Sequence, residues 1–233
     1  MTVSFVIPAH DEAATIERVI ACVQAAGEHV GRPYEVVVVD DSSSDGTGEL
    51  AAAAGARVVR VEHRQIAATR NSGARAVNAE CETIVFVDAD TFVDGPLVAA
   101  ALERIARGAV AGGALMRFDE APWYGHFVMW FISRGLRLAR MCGGCFLFVR
   151  RDAFEAVGGF DEDRYVSEEL VLARKLKRIG RFEVMARPRV VTSGRKLRDM
   201  TPGQLGAQLW RIARGGRRAL ESREGLEVWY GKR

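Results

Sequence analysis

At 233 residues with 48% apolar side chains, the chain is long enough to bury a substantial core and suits one α/β domain better than two small ones. Four cysteines over that length exclude the disulfide framework of a small secreted domain and predict reduced thiols. The net charge of +3 hides an asymmetry, with 16 basic and 25 acidic side chains in residues 1–173 but 17 and 5 in residues 174–233, so the front suits metal and hydroxyl-rich ligands and the rear suits phosphate, nucleic acid or anionic lipid.

Met1 to Pro8 is apolar but has no basic leader, long hydrophobic stretch or small-residue cleavage site, so it reads as a first strand rather than a signal peptide. Further short, β-branched runs at Val36–Val39, Val58–Val61 and Ile84–Val87 are nearly continuous, the pattern of parallel strands covered on both faces. Ile16, Val19, Ile20 and Val23 follow helical spacing, and other helices are predicted at about 47–54, 66–79 and 96–107. Alternating strands and helices predict a doubly wound sheet whose ligands bind beyond the carboxyl ends of its strands. After residue 109 the alternation breaks down: Val110–Met116, the aromatic segment Trp123–Ile132 and Cys145–Val149 predict mixed sheet and acceptor-binding loops. Ser167 as N-cap, Leu172, Leu176 and Ile179 on one face, and Gly180 as the stop predict a helix from Glu168 to Ile179. Pro202–Arg218 sets Leu205, Leu209, Ile212 and Ala213 against Arg211, Arg214, Arg217 and Arg218, a basic amphipathic helix. The longest apolar run, Phe127–Ile132, falls far short of the roughly 20 residues that span a bilayer, so the expected protein is cytoplasmic, soluble or peripheral at the membrane. The division read from these patterns is a domain over 1–200, with halves 1–118 and 119–200, and a C-terminal extension over 201–233.

Carboxylates fall where the strands end. Asp11 and Glu12 follow the first, Asp40 and Asp41 the second, and Asp88 and Asp90 the fourth, which would gather them along one edge of the sheet. Any one pair has a plain role as turn former and helix cap; three pairs on one edge are harder to explain that way. Asp88 and Asp90, two residues apart, would place their carboxylates on one side of an extended backbone, ready to share Mg²⁺ or Mn²⁺ with a substrate diphosphate. The first strand-to-helix turn, Pro8-Ala9-His10-Asp11-Glu12, holds no glycine-rich phosphate cradle and no Walker sequence occurs, which argues against dehydrogenases and P-loop enzymes. The same turn lacks the glycine-rich, basic loop of a nucleotidyltransferase.

Val6 to Glu12, Val39-Asp40-Asp41-Ser42 through Thr47, Ala68-Thr69-Arg70-Asn71-Ser72-Gly73-Ala74, Asp88-Ala89-Asp90, Gly158-Gly159-Phe160-Asp161-Glu162 and Ser167-Glu168-Glu169-Leu170 resemble, in order, the motifs of the family 2 glycosyltransferases. The likeness covers about residues 3 to 182. It implies a Rossmann-like nucleotide-sugar (GT-A) fold and inverting transfer from a UDP, GDP or dTDP sugar to an acceptor hydroxyl. It further implies that Asp41 accepts a hydrogen bond from the base, that Pro8, Ala9 and Glu12 contact the nucleoside, and that His10 stacks on it. Arg70 would approach base or diphosphate, Asp90 would ligate the metal, and Asp88 with Ala89 would face the ribose or the metal's waters. The acceptor proton would go to Glu169, or to Glu168 before it; helical angles alone do not separate the two. Glu in place of the family's usual Asp is a departure that places the base's backbone farther from the acceptor. A second departure is the absence of any His after His126, where many relatives carry a metal-binding one. The segment Val190–Lys196 is similar instead to a bacterial subgroup with Thr-Ser-x-Arg-Arg, which implies that Arg195 or Lys196 meets the diphosphate.

Cys142-Gly143-Gly144-Cys145 lacks the further ligands of a zinc site and leads into a strand rather than a helix, so buried thiols are expected. In the family this segment lines the acceptor side, which implies that Gly143 and Gly144 admit the acceptor. The aromatic segment reads first as core and second as an acceptor platform for a lipid. The expected partners are a nucleoside-diphosphate sugar, a hydroxyl-bearing saccharide, lipid-linked or small-molecule acceptor, and peripheral membrane, with no nucleic acid. A catalytically silent nucleotide-sugar or anion-binding module of the same fold is the alternative.

Overall fold

A computed structural model describes residues 2–119, 121–122, 124, 133–135, 141–163, 168–194 and 203. Strand β1 (Thr2–Ala9) alternates its side chains between two hydrophobic layers, with Val3, Phe5 and Ile7 on one face and Val6 on the other. This is why its sequence is apolar throughout. Helix α1 (Ile16–Val30) buries Ile16, Val19, Ile20 and Val23 and closes at Gly31, whose φ of 62° is a left-handed C-cap. Then come β2 (Tyr34–Asp41), α2 (Thr47–Ala53), β3 (Arg57–Val61), α3 (Ile66–Ala76), β4 (Cys81–Val87) and β5 (Thr91–Phe92). Helix α4 (Gly95–Ala106) starts where the Asp94 carboxylate accepts from Leu97 N at 2.8 Å. The remainder is β6 (Ala109–Phe118), β7 (Phe146–Arg150), α5 (Arg151–Ala156), α6 (Glu168–Ile179) and β8 (Arg181–Thr192).

The eight strands form one mixed sheet in the order β3-β2-β1-β4-β7-β6-β8-β5. The first four are mutually parallel, and β7 enters antiparallel between β4 and β6, which accounts for the loss of alternation after residue 109. One layer packs α1 and α4 on the sheet; the other packs α3, α5 and α6. Gly73 lets α3 lie close, since a Cβ there would run into Val6 and Val39. Leu172 and Leu176 of α6 are buried as expected, but Ile179, the last residue before Gly180, is 50% exposed. Among the described residues no helix is long and apolar enough to cross a membrane. Trp123, 125–132, Ser167 and the predicted 202–218 helix, Gly203 excepted, lie outside the described residues.

Candidate active site

Parallel strands β1, β2, β3 and β4 end on one edge, and the turns that follow them build the site. Asp11, Ser42 and Arg64, after β1, β2 and β3, all take positive φ (50°, 62° and 50°), an uncommon backbone for residues with a Cβ. The first two turns are laced together: Asp11 N donates to Ser43 Oγ, Glu12 N to Thr47 Oγ1, Ala13 N to Asp45 Oδ2, and Ser44 N to Asp11 Oδ1. Hydroxyl and carboxylate side chains thus do the work of capping and of joining two strand ends.

Asp41 is 2% exposed, and each of its oxygens takes two donors. His63 N and Arg64 N reach Oδ1 at 2.8 Å, while Gln65 N (3.2 Å) and Thr69 Oγ1 (2.7 Å) reach Oδ2. A carboxylate has about four acceptor positions, and all four are used by the chain itself. In this arrangement Asp41 shapes the turn after β3. Pro8 and Ala9 are likewise buried within β1, paired with Val39 and Asp40. His10 Nδ1 lies 2.6 Å from the Asp41 carbonyl and Nε2 3.6 Å from Asp11, leaving the side chain 13% exposed. Glu12 accepts from Thr15 Oγ1 at the start of α1.

Asp88-Ala89-Asp90 is not extended. Thr91 N donates to Asp88 O at 2.9 Å, closing a tight turn, so it is the turn rather than strand alternation that sets the two carboxylates; Ala89 is buried inside it. Both charges act on the Cys145 thiol, whose carbonyl accepts from Asp88 N. Asp88 Oδ1 accepts from Arg70 Nη2, and Asp90 Oδ1 stands 3.5 Å from the hydroxyls of Thr91 and Thr192. Two carboxylates offer hard oxygens fit for Mg²⁺ or Mn²⁺. Ions of this kind take one or two carboxylates and complete their shell with phosphate and water.

Arg70 is the centre of the site. The residue is 3% exposed, with Nη2 2.7 Å from Asp88 Oδ1, Nη1 2.7 Å from Glu168 Oε1, and Nη2 3.3 Å from the Gly144 carbonyl. Burial opposes its charge, but Asp88, Glu168 and Glu169 outweigh that and push its pKa above the ordinary arginine value. The guanidinium bridges the turn after β4 to the start of α6.

That bridge separates the two glutamates. Glu168, 5% exposed, is the ion-pair partner of Arg70. Glu169 is partly exposed, and its carboxyl is pushed up to about 8, first by burial and then by the neighbouring Glu168 charge, against the pull of Arg70. Gly144 abuts the pair: a Cβ there would stand 3.2 Å from Arg70 Nη2 and 3.4 Å from Glu169 Cδ. Gly143 instead leaves room for Met116 of β6. Burial pushes the Cys142 thiol up to about 12 and raises that of Cys145, so both stay protonated, as expected of buried thiols. Arg195 and Lys196 lie outside the described residues. Gln65, Asn71 and Phe160 join this network without a role assigned from sequence; the last two stand inside the motifs but carry no charge to mark them.

The pattern that defines glycosyl transferase family 2 matches residues 4–158, more than half of the chain. The chain is a member of glycosyl transferase family 2. This family 2 chain is 31% identical over 170 residues to an undecaprenyl-phosphate 4-deoxy-4-formamido-L-arabinose transferase of Pseudomonas paraeruginosa, covering 66% of the chain and 49% of that protein. Its namesake from Aeromonas hydrophila is 29% identical over 132 residues, or 52% and 39%. The chain thus spans about half, or less, of the length of these relatives. Among solved structures, a mannosyltransferase from Pyrobaculum calidifontis in complex with GDP-Man and Mn²⁺ superposes with a TM-score of 0.64 at 22% identity over 91% of this chain and 60% of that one. S. aureus TarS in complex with UDP gives 0.65 at 16% over 94% and 73%. Glucosyl-3-phosphoglycerate synthase from Mycobacterium tuberculosis, with Mn²⁺, UDP and glucosyl-3-phosphoglycerate, gives 0.62 at 20% over 91% and 77%. These likenesses show the GT-A fold.

Proposed function

We propose that the chain transfers a glycosyl group, with inversion, from a UDP, GDP or dTDP sugar to an acceptor hydroxyl. The observation that carries this reading is the convergence on one sheet edge of Asp88 and Asp90 with Glu168 and Glu169, joined by Arg70. The choice of nucleotide draws on the structural neighbours solved with GDP-Man and UDP.

On this reading the hydroxyl attacks the anomeric carbon on the face opposite the nucleoside diphosphate. A new carbon–oxygen bond forms to the acceptor, the bond to the diphosphate oxygen breaks, and the acceptor proton passes to the Glu169 carboxylate. Glu168 is held by Arg70 and serves to set Glu169. Asp90, with Asp88, would hold a divalent cation, which when bound neutralises charge on the departing diphosphate. Gly144 lets the acceptor come close to Glu169, and Arg195 pairs with the diphosphate.

The test is a panel of UDP-glucose, GDP-mannose and dTDP-glucose with Mn²⁺ or Mg²⁺, read as thermal stabilisation and donor hydrolysis. One nucleotide is expected to stabilise the wild type in a metal-linked way that Asp90→Ala loses. Equal stabilisation of both proteins would remove Asp90 from the metal site.

The basic segment Pro202–Arg218 supports peripheral contact with the cytoplasmic face of an anionic membrane, and so does the undecaprenyl-phosphate named for the relatives. Co-sedimentation with vesicles containing phosphatidylglycerol is expected to weaken with salt and to be lost when Arg211, Arg214, Arg217 and Arg218 are changed to Gln. Equal binding to neutral phosphatidylcholine vesicles would rule it out.

A further inference from the structure

We propose that Asn71 is a positioning residue that sets the place of the base by clasping the 158–162 loop onto α3. The Asn71 amide pairs with one backbone residue in both directions: Nδ2 donates to Phe160 O and Phe160 N donates to Oδ1, each at 3.0 Å. Nδ2 also donates to Glu162 Oε1 at 2.7 Å, and from the N-cap of α3 Gln65 Nε2 donates to Glu162 O at 2.5 Å. The loop is shaped to receive this amide. Gly159 has a φ of 68°, and a Cβ there would stand 2.7 Å from Asn71 Oδ1.

The clasp reaches the chemistry through the Phe160 ring, which packs on Phe86 and Phe154 at 5.1 and 5.7 Å and lies 5.3 Å beneath the Arg70 guanidinium. Among the described residues the buried Arg70 Nε finds no hydrogen-bond partner, so the guanidinium is held by that ring, its two carboxylates and the Gly144 carbonyl. Adjacent residues of α3 therefore hold the two ends of the stretch leading to the base, Asn71 at Phe160 and Arg70 at Glu168. The clasp joins the Arg70-Asn71 and Gly158–Glu162 segments across nearly ninety positions.

The inference rests on Glu169 being the base. In the full chain, Asn71→Asp keeps the acceptor for Phe160 N, loses the donor to Phe160 O, and sets a charge beside Glu162. Using whichever of UDP-glucose, GDP-mannose or dTDP-glucose the wild type hydrolyses with Mn²⁺, we expect the Kd of the metal–nucleotide and the donor KM to stay within about threefold. We expect kcat to fall about 10- to 100-fold and the rising limb of its pH profile to move. Unchanged kcat and profile in a folded variant, or parallel loss of nucleotide binding and rate, would overturn the proposal. Should Asn71→Asp not fold, Glu162→Ala removes the side-chain acceptor of Asn71 Nδ2 from a half-exposed position, and a wild-type profile there would overturn it equally. Absence of nucleotide binding in the wild type would instead count against the glycosyl-transfer reading.

Discussion

Replacing Glu169 by Gln is expected to cut turnover by about 10²- to 10⁴-fold while making the protein more stable at neutral and alkaline pH. The two effects share one cause. Burial and the Glu168 charge lift the Glu169 carboxyl from an ordinary 4.5 to about 8, so between those values the folded protein holds a proton that the unfolded chain has released. Stability falls with pH wherever the folded state binds more protons. The wild type therefore loses stability as pH rises across that window and reaches its lowest contribution once Glu169 ionises. Gln keeps the size and hydrogen bonding of the protonated acid but has no proton to give up. The melting temperature of Glu169→Gln should exceed that of the wild type by a margin that widens from pH 4.5 to about 8 and then levels off, equivalent to about 1–3 kcal/mol. In the wild type only the carboxylate accepts the acceptor's proton, so kcat should climb with pH and flatten near 8. A pH-independent kcat, or a Gln variant as active as its parent, would exclude Glu169 as the base.

Arg70→Met is expected to be the most destabilising substitution in the site. The guanidinium neutralises Asp88 and Glu168 through two 2.7 Å ion pairs in a buried setting. Removing one partner of such an arrangement leaves uncompensated charge, at a cost of about 3–5 kcal/mol. For a chain of this length that corresponds to a melting temperature lower by roughly 6–20 °C. Arg70→Lys should recover only part of the loss, because a single ammonium does not span two carboxylates as the planar fork does. The measurement is thermal or urea unfolding of the three proteins. A Met variant within about 1 kcal/mol of wild type would show that the bridge contributes little beyond an ordinary surface ion pair.

Much of the frame was readable from local pattern. Continuous β-branched runs such as Val36–Val39 announce strands covered on both faces, and both faces are covered. Ile16, Val19, Ile20 and Val23 lie on one buried face of α1 because helical spacing puts them there. The carboxylates fall at strand ends, and parallel strands bring their ends to one edge, so the turns that carry residues 11, 41 and 88 lie on the same edge although far apart in sequence. The individual roles were less legible. Asp41 and Arg70 have the charge and motif position of ligand-binding groups, yet both spend that charge on their own chain, through donors from 63–69 and carboxylates 18 and 98 positions away.

Strand and helix periodicity, the sheet edge that carries the acidic turns, and family membership follow from the order of residues alone, because each is encoded within a few neighbouring positions. What sets Glu168 apart from Glu169 was decided only in three dimensions. Glu168 and Glu169 are chemically identical neighbours on one helix, and what distinguishes them is a buried guanidinium contributed by a different helix and brought there by packing against the sheet.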